Sequence, residues 1–537
     1  MDESLPASPQ PATLPRAGAA GLLAGAAALS VGELAGALAA PRPGPVVAVA
    51  NHVIDLAPNW FVDFGKAVFG LADKPALVLG TIIISLLIGI GLGIVSRLDI
   101  RLGIAGITGF GLLGFLAIGF DNQGGWAAAI PVALAATIAG IVVLMLLMAR
   151  AGGGPAVAPA GEGGDSGRID SPVDPALSRR SFLNLAGVVG VTAGVATAGA
   201  NVLRTRSSAT DARNSVRIDS AMQSTDLESQ IQAATTSRVG GTQDITPVIV
   251  PNDEFYLIDT AVLTPQVDPA NWQLRISGMV DNEVTYSYGE LLDRANTVAP
   301  VTLSCVSNEV GGTLVGNAVW QGVPLVELLD EAGVQDGATQ IASRSVDGWT
   351  CGFPTEAAFD GRTALVAIAM NDEPLPLRHG FPARLVVSGL YGYVSATKWL
   401  SDIELTTIDA FNGYWIPRGW SKLGPVKTQS RIDTPRSGSS LTIGERVPIA
   451  GVAWAPDTGI EQVEVQVDDG DWVEAELGES LGPDAWVQWL VPWTATEGHH
   501  VIQVRATDAS GYTQTSEIAP PPPSGATGWH QIDVTVA

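Results

Sequence analysis

The chain has 537 residues, which is too long for one hydrophobic core, so its length predicts roughly two to four domains. Its formal net charge of −25 excludes a nucleic-acid partner, because so acidic a chain cannot neutralise a phosphate backbone. Ala, Gly, Leu, Ile and Val dominate residues 1–205, whereas Asp, Glu, Trp and Thr gather after Asp219. This split predicts a membrane portion followed by a soluble portion.

Four apolar stretches within residues 1–150 are long enough to cross a bilayer. They are Ala17–Ala40, Ala76–Val95, Leu102–Phe120 and Trp126–Met148. We predict an N-terminal all-α transmembrane bundle in contact with membrane lipid, packed through small residues. None of the four stretches contains histidine, so we expect no haem between them. Residues 151–177, rich in Gly, Ala, Pro and Asp, are predicted to form a cytoplasmic linker.

A fifth apolar stretch, Leu183–Leu203, follows the run Ser178-Arg179-Arg180-Ser181-Phe182-Leu183. This run resembles a twin-arginine export signal, so residues 178–204 are predicted to be a signal or a retained anchor helix. Arginines in this run and in the Arg97–Arg101 loop place both segments in the cytoplasm by the positive-inside tendency. The protein is then a multi-pass protein of the cytoplasmic membrane, and everything after the fifth span is extracytoplasmic.

Three further segments follow the fifth span. Residues 205–246 are polar and are predicted to be a flexible tether, with no packing before Ile245. Residues 247–423 mix short strand-like runs such as Trp272–Gly278 with short helices, which predicts one α+β domain. Residues 424–537 carry strand-like runs at sandwich spacing, which predicts an all-β immunoglobulin-like domain. In the α+β domain the other predicted strands are Ala299–Ser304 and Ala383–Ser388, and the predicted helices are Tyr288–Ala295 and Pro324–Ala332. In the all-β domain the predicted strands are Val447–Trp454, Gln462–Val467, Trp486–Val491, Val501–Thr507 and Trp529–Val536.

The two cysteines, Cys305 and Cys351, form either one disulfide or two free thiols. Cys305 stands in Thr302-Leu303-Ser304-Cys305-Val306-Ser307-Asn308-Glu309-Val310-Gly311-Gly312, where a β-type run delivers it onto a loop that ends in glycine. Such a thiolate can ligate a metal, act as a nucleophile or simply pack. No histidine of the soluble half has a motif that suggests a catalytic base, and zinc would need more Cys and His.

Residues 252–434 resemble the sulfite-oxidase family, whose members bind a molybdenum–pyranopterin cofactor through one cysteine. The matching motifs, in order, are Phe255-Tyr256, Trp272-Gln273-Leu274, Gly278, Thr302–Cys305, Asn308, Trp320–Leu325, Asp347-Gly348, Met370–Pro376, His379–Arg384, Tyr391-Gly392, Lys398-Trp399-Leu400 and Ser430-Arg431-Ile432 with Pro435. The resemblance implies a sulfite-oxidase-type molybdopterin domain followed by the family's dimerisation domain, and hence a homodimer.

The resemblance also implies a set of site residues. Cys305 is then the metal ligand, and Arg384 and Lys398 match the phosphate-binding positions, with His379 beside them. Asp347 matches a carboxylate that binds the pterin's donor edge. The other implied cofactor contacts are Asn252, Phe255, Tyr256, Asn308, Ser395 and Thr397. Taken one at a time, Arg384 in a surface ion pair, Asp347 in a turn and His379 capping a loop are the structural alternatives.

The sequence departs from sulfite oxidases at charged positions. They carry Cys-Ala-Gly-Asn-Arg-Arg where this chain has Cys305–Val310, and Arg-Asn-His where it has Leu257-Ile258-Asp259. Because cations attract an oxyanion, Glu309 and Asp259 favour a neutral or cationic substrate. Tyr414 or Trp420 occupies the neighbourhood of the family's active-site tyrosine, and Tyr414 is our catalytic candidate.

We therefore predict a membrane-anchored oxidoreductase that transfers an oxygen atom to or from a small molecule such as a sulfoxide. A sulfite oxidase with a remodelled anion site, and a non-enzymatic surface-anchored binding protein, stay open as alternatives. No His-Pro-Gly-Gly motif of a fused cytochrome occurs, so a separate electron-transfer partner, a quinone or a cytochrome, is expected. Cys351 is expected to be a buried free thiol.

Overall fold

The chain divides into two compact units, residues 1–207 with 261–264 and residues 208–260 with 265–537. A computed structural model describes residues 12–38, 44–58, 61, 64–65, 68–69, 72–122, 124–151, 175–205, 208–218 and 225–537. Most of the predicted linker, residues 152–174, lies outside the described part, as do the side chains of Ser178 and Arg179.

The first unit is helical, as the sequence predicts. Its described helices are Leu14–Leu38, Pro45–Leu56, Asp73–Val95, Ile100–Phe120, Trp126–Ala151 and Pro175–Thr205. Five helical segments of the described residues are long and apolar enough to cross a membrane: Leu14–Leu38, Asp73–Val95, Ile100–Phe120, Trp126–Ala151 and Arg180–Ala200. They coincide with the five predicted spans.

Small residues bring the first two long helices into backbone contact. A Cβ added to Gly21 would lie 2.1 Å from the carbonyl oxygen of Gly89 and 2.7 Å from the Cα of Gly93. Only glycine therefore allows this approach, which is typical of helix packing in membranes. The shorter helix Pro45–Leu56 lies between the first two long helices in the sequence. Its start is held by Glu33, whose carboxylate accepts the amide of Val46 at 2.9 Å.

The central region of the second unit is α+β and contains two five-stranded sheets. Its strands are β1 (Gln273–Gly278), β2 (Val284–Ser287), β3 (Thr297–Ser304), β4 (Val315–Pro324), β5 (Gln340–Ser345), β6 (Thr350–Pro354), β7 (Ala364–Met370), β8 (Glu373–Pro374), β9 (Arg384–Val387) and β10 (Leu400–Thr406). One sheet has the order β2-β1-β10-β5-β6, and the other has β3-β4-β7-β8 with β9 also paired to β7. In the second sheet β3 and β4 are antiparallel, and Ser304 pairs with Val315.

Short helices connect these strands, and the sequence predicts the first two of them. They are Tyr288–Arg294, Leu325–Ala332 and Gly392–Ser395, with 3₁₀ turns at Thr355–Ala358, Leu377–His379 and Ile416–Arg418. The helix Tyr288–Arg294 begins at Ser287, which forms a capping box with Glu290. These local signals explain why the helix bounds were readable from the sequence.

The C-terminal region is all-β and consists of two sheets around a shared apolar core. Its strands are β11 (Gln429–Thr434), β12 (Ser439–Leu441), β13 (Arg446–Trp454), β14 (Ile460–Val467), β15 (Val473–Glu474), β16 (Glu476–Leu477), β17 (Val487–Thr494), β18 (Gly498–Asp508) and β19 (His530–Val536). The sheet orders are β11-β13-β17-β16 and β12-β19-β18-β14-β15. The multidomain architecture predicted from the sequence, helical then α+β then all-β, is confirmed.

The segment predicted as a tether packs earlier than expected. Helices Ser208–Ser215 and Thr225–Thr236 lie within it. Val239 is buried against Ala450 and Leu490 of the all-β region, so the expectation of no packing before Ile245 is wrong. The apolar residues involved are isolated in a polar stretch, and their partners are more than two hundred residues away, so no local pattern predicts the contact.

Candidate active site

Cys305 lies at the point where β3 ends and a tight loop begins. Its amide donates to the carbonyl of Leu314 at 2.9 Å, and its carbonyl accepts the amide of Asn308 at 3.0 Å. The side-chain oxygen of Asn308 accepts the Leu314 amide at 2.8 Å, which closes the loop. Cys305 is half-buried and forms no disulfide, so its sulfur is held at a defined position with access from outside the core.

The all-β region supports the far end of this loop. Arg431 donates to the carbonyl of Gly312 at 2.9 Å and to the Thr246 hydroxyl at 2.8 Å. Gly311 has φ +77°, and a Cβ there would lie 2.3 Å from the His530 ring, so only glycine fits. The position of the cysteine loop therefore depends on side chains of the neighbouring region.

Two tyrosines lie within electrostatic range of the cysteine. Burial raises the pKa of the Tyr256 hydroxyl. The negative charge of the Cys305 thiolate adds to this rise, and the positive charge of Arg384 opposes it. Burial likewise raises the pKa of Tyr391 to about 12, again with a contribution from Cys305. Cys305, Tyr256 and Arg384 thus lie in one region of the protein.

Arg384 is a buried cation, at 5% relative exposure. Its guanidinium lies 4.9 Å from the ring centre of Trp320 and donates to the carbonyl of His379 at 3.2 Å. No carboxylate forms an ion pair with Arg384 among the residues that the structure describes. Burial lowers its pKa to about 10, which leaves the side chain charged at neutral pH.

His379 packs beside Arg384 as a neutral ring. Burial, followed by the nearby Arg384, lowers the pKa of His379 to about 4. Its Nε2 lies 2.9 Å from the carbonyl oxygen of Asn252, which can only accept, so Nε2 carries the proton. Phe255 meets the His379 ring edge-on at 5.7 Å. Asn252, Phe255 and His379 are therefore brought together.

Gly380 allows two cationic residues to approach each other. It has φ +112°, and a Cβ there would lie 3.0 Å from the Cα of Lys398 and 3.1 Å from the Cβ of Arg384. Lys398 itself forms a buried ion pair with Asp259 at 2.8 Å. Burial raises the pKa of Asp347, and Asp259 adds to the rise while Lys398 opposes it, so these three groups also converge.

Ser395 and Thr397 belong to the segment predicted to contact the cofactor, and their hydroxyls make hydrogen bonds within the protein. Ser395 donates to the carbonyls of Leu390 and Tyr391 at 3.2 and 3.1 Å. Thr397 lies 2.7 Å from the Ser343 hydroxyl and 3.1 Å from the sulfur of Cys351. Cys351 is a buried free thiol, as expected, and burial raises its pKa to about 11. Ser395 and Thr397 therefore support the loop before Lys398 through these bonds.

Tyr414 and Trp420, the candidates for the position of the family's active-site tyrosine, lie on a loop that follows β10. The Tyr414 ring lies 3.7 Å below the Arg418 guanidinium, and its amide donates to Thr350 at 2.9 Å. Trp420 packs on Tyr393 at 5.9 Å. Cys305 contributes to the raised pKa of Tyr391, and Trp320 contacts Arg384. Both residues stand inside the motifs of the family resemblance, but neither was assigned a role in the site from the sequence.

These side chains fit an anionic group bound between the sulfur and the guanidinium. A buried cation without a carboxylate is costly unless something neutralises it, and a phosphate of a cofactor would do so. The accessible thiol of Cys305 supplies a soft ligand for a metal. The site is thus organised for a metal-bearing, phosphorylated cofactor.

Comparisons with known proteins agree with this class of site. The family described as oxidoreductase molybdopterin binding domain matches residues 261–415. The chain is 31% identical over 193 residues to the uncharacterized oxidoreductase YuiH of Bacillus subtilis, covering 36% of this chain and 91% of that protein. It is 27% identical over 321 residues to mitochondrial sulfite oxidase of Mus musculus, covering 51% of this chain and 58% of that enzyme. The crystal structure of sulfane dehydrogenase SoxCD from Paracoccus pantotrophus aligns with a TM-score of 0.44 at 22% identity, covering 51% of this chain and 76% of that chain.

The protein is a molybdopterin-dependent oxidoreductase, and it belongs to the sulfite-oxidase family. Family membership decides against the non-enzymatic binding protein that the sequence left open. A small-molecule substrate and a molybdenum cofactor follow from the same membership.

Proposed function

We propose that this chain is a membrane-anchored, extracytoplasmic enzyme that uses a molybdenum–pyranopterin cofactor to reduce a neutral oxide such as a sulfoxide. The observation that carries the proposal is the relation of Cys305 to Arg384. Both act on the ionisation of Tyr256, and Arg384 lies buried with no ion-paired carboxylate among the described residues. The proposed reaction consumes two electrons and two protons and yields a sulfide and water.

Each residue of the site has a role that its contacts support. The cofactor supplies the two-electron redox chemistry when it is bound. Cys305 would hold the metal, and Arg384 would neutralise the phosphate with forked hydrogen bonds. Trp320 lies against the guanidinium and Phe255 packs edge-on against Trp320, and these apolar surroundings strengthen the attraction of the cation for an anion. His379 keeps its proton on Nε2 and presents Nδ1 as an acceptor.

The remaining predicted residues complete the proposed cofactor contacts. Asp347 would accept hydrogen bonds from the pterin, and Lys398 would extend the cationic region next to Gly380. Asn252 orients His379 through its carbonyl. Tyr414 stays our candidate for the tyrosine that contacts substrate, and Tyr391 joins it because Cys305 acts on its ionisation.

The charges around the site support a neutral substrate. Asp259 already compensates Lys398, so that ammonium offers little net attraction to a second anion. Glu309, the other acidic replacement, is exposed on the cysteine loop. An enzyme that must capture sulfite needs uncompensated cations near its metal.

Steady-state kinetics of the purified, cofactor-loaded protein test the proposal. With reduced viologen as electron donor, the protein should turn over a methyl aryl sulfoxide. With ferricyanide as acceptor, its kcat/KM for sulfite should be lower by at least an order of magnitude. The 27% identity to a sulfite oxidase over half of this chain favours sulfite as the second candidate substrate. A kcat/KM for sulfite that exceeds the one for the sulfoxide would establish sulfite as the substrate.

The arrangement in the membrane is also part of the proposal. Residues 1–150 would form the bundle, 151–177 a cytoplasmic linker, 178–204 the export signal or anchor, and 247–423 and 424–537 the extracytoplasmic catalytic and dimerisation domains. A separate quinone or cytochrome would supply electrons. The pair of substitutions Arg179→Lys and Arg180→Lys should leave the C-terminal domains protected from protease added to spheroplasts, whereas the unaltered chain should be cleaved.

A further inference from the structure

A serine hydroxyl lies against the sulfur of the cysteine loop. The Oγ of Ser307 is 2.9 Å from the Sγ of Cys305, and both residues are half-buried. The two residues are separated by Val306 in the turn that the Asn308 amide closes onto the Cys305 carbonyl at 3.0 Å. The contact is therefore built into the backbone conformation of the loop.

The chemistry of a metal ligand fixes the direction of this hydrogen bond. A metal-bound cysteine has lost its proton, so its sulfur can only accept. The Ser307 hydroxyl must then be the donor. Ser307 also stands where the sulfite-oxidase pattern given above has glycine, which has no side chain to donate, so the bond is a departure made by this chain.

The loop holds the hydroxyl in place from both sides. Asn308 ties the loop to the Leu314 amide at 2.8 Å, and Arg431 holds the Gly312 carbonyl at 2.9 Å. A donor fixed in this way keeps its bond in both oxidation states of a neighbouring metal. It is stronger in the reduced state, because reduction places more electron density on the sulfur.

We propose that Ser307 is a positioning residue that donates a hydrogen bond to the sulfur of Cys305 and thereby raises the reduction potential of the molybdenum centre. The inference rests on the proposed function, because it requires the metal at Cys305. It adds a residue of the chain's own that sets how readily the centre accepts electrons. Hydrogen bonds to cysteine sulfur tune metal potentials in this direction in other protein sites.

The test is a redox titration of the full chain, purified in detergent with its cofactor and followed by the molybdenum EPR signal. Ser307→Ala should disfavour the reduced centre roughly two- to tenfold, the range of one lost hydrogen bond. That corresponds to a midpoint potential lower by roughly 20 to 60 mV per electron. Ser307→Thr, which keeps the hydroxyl, should restore the wild-type potential.

Ser304→Ala provides the matched control. Ser304 precedes Cys305 in the sequence, and its hydroxyl lies 3.4 Å from the carbonyl oxygen of Cys305. The hydroxyl that lies against the sulfur is that of Ser307. We expect the midpoint potential of the Ser304→Ala variant to equal that of the unaltered protein. An unchanged potential in Ser307→Ala at full molybdenum content, or an equal shift in Ser304→Ala, would overturn the inference and leave the proposed function standing. A wild-type chain without molybdenum would overturn both.

Discussion

The ammonium group of Lys398 lies 2.8 Å from the carboxylate of Asp259, with both side chains largely buried at 10% and 14% exposure. Arg384, which approaches Lys398 across Gly380, has no such ion pair among the described residues. The two cations that the family resemblance assigns to one phosphate are therefore unequal. Arg384 is the stronger candidate for the phosphate, and Asp259 decides how much attraction Lys398 adds.

Removing the charge of Asp259 should shift the enzyme towards anionic substrates. Asp259→Asn removes the negative charge that lies against the Lys398 ammonium, so kcat/KM for sulfite should rise about tenfold, the effect of about 1.4 kcal/mol of electrostatic free energy. Steady-state assays with sulfite and a sulfoxide measure the change.

Glu309→Gln is the control for the effect of charge alone. The Glu309 side chain is exposed, so solvent screens its charge and kcat/KM for sulfite should change less than twofold. Equal effects of the two substitutions would show that Asp259 has no special relation to the site.

Replacing Arg384 by methionine should separate stability from cofactor binding. The buried guanidinium has no carboxylate partner in the described structure, so Arg384→Met should leave the cofactor-free protein as stable as before or more stable. Cofactor retention should fall roughly 10- to 100-fold, because charge-assisted bonds to the phosphate are lost. Thermal unfolding of the cofactor-free chain and pterin fluorescence after desalting measure the two effects.

Arg275→Met, on the exposed face of β1, should change neither quantity. A large loss of stability in cofactor-free Arg384→Met would instead mean that the guanidinium is a structural group.

Two histidines with a lowered pKa, the buried His379 and the half-buried His530, should make the protein sensitive to mild acid. Burial lowers the pKa of His379 and of His530 to about 4, below the ordinary 6.5. The unfolded chain therefore binds more protons, so stability present above pH 6.5 is lost as pH falls towards 4, by up to about 3 kcal/mol for each histidine. The His530 ring also accepts the Ile432 amide at Nδ1, a bond that protonation removes.

The pair of substitutions His379→Gln and His530→Gln should flatten the decline of Tm between pH 6.5 and 4.5 in the detergent-solubilised chain. His499→Gln, at an exposed position, should leave the profile unchanged. A profile that stays steep without both histidine rings would assign the acid sensitivity to other groups.

The buried pair Arg431 and Asp433 should couple the cysteine loop to the all-β region. Their side chains are 8% and 9% exposed and lie 2.7 Å apart. Arg431→Met leaves the Asp433 carboxylate buried and also removes the bond to Gly312, which should cost about 3 to 5 kcal/mol. Adding Asp433→Asn should recover part of that loss, as a double-mutant cycle on Tm would show.

Arg436→Met supplies the comparison, because this arginine follows β11 on the surface. Additive losses in the double variant would contradict the coupling.

Much of the fold was readable from the sequence because its signals are local. The capping box at Ser287 fixed one helix start, and unbroken apolar runs marked the five long helices. The ordered motifs also marked Cys305 and Arg384 as candidate site residues. By contrast, the contact of Val239 with Leu490 and the bond from Arg431 to Gly312 join distant segments of the chain. No pattern within a short window contains that information.

The site residues show the same division. The family resemblance assigned the segment of Ser395 and Thr397 to the cofactor, whereas the hydroxyl bonds that hold this segment, to Leu390, Tyr391, Ser343 and Cys351, are seen only in the structure. The Asp259–Lys398 ion pair could not be predicted from the sequence either. Asp259 departs from the family pattern and Lys398 matches it, and nothing in the sequence indicates that the two side chains meet.

Molybdenum analysis of the purified full chain, expressed in a molybdenum-competent host, tests the central claim most directly. The unaltered protein and Cys351→Ser should contain near-equimolar molybdenum, whereas Cys305→Ser should contain almost none and keep the same Tm when all three are compared without cofactor. Equal molybdenum in Cys305→Ser and in the unaltered chain, or none in either, would contradict the assignment of Cys305 as the metal ligand.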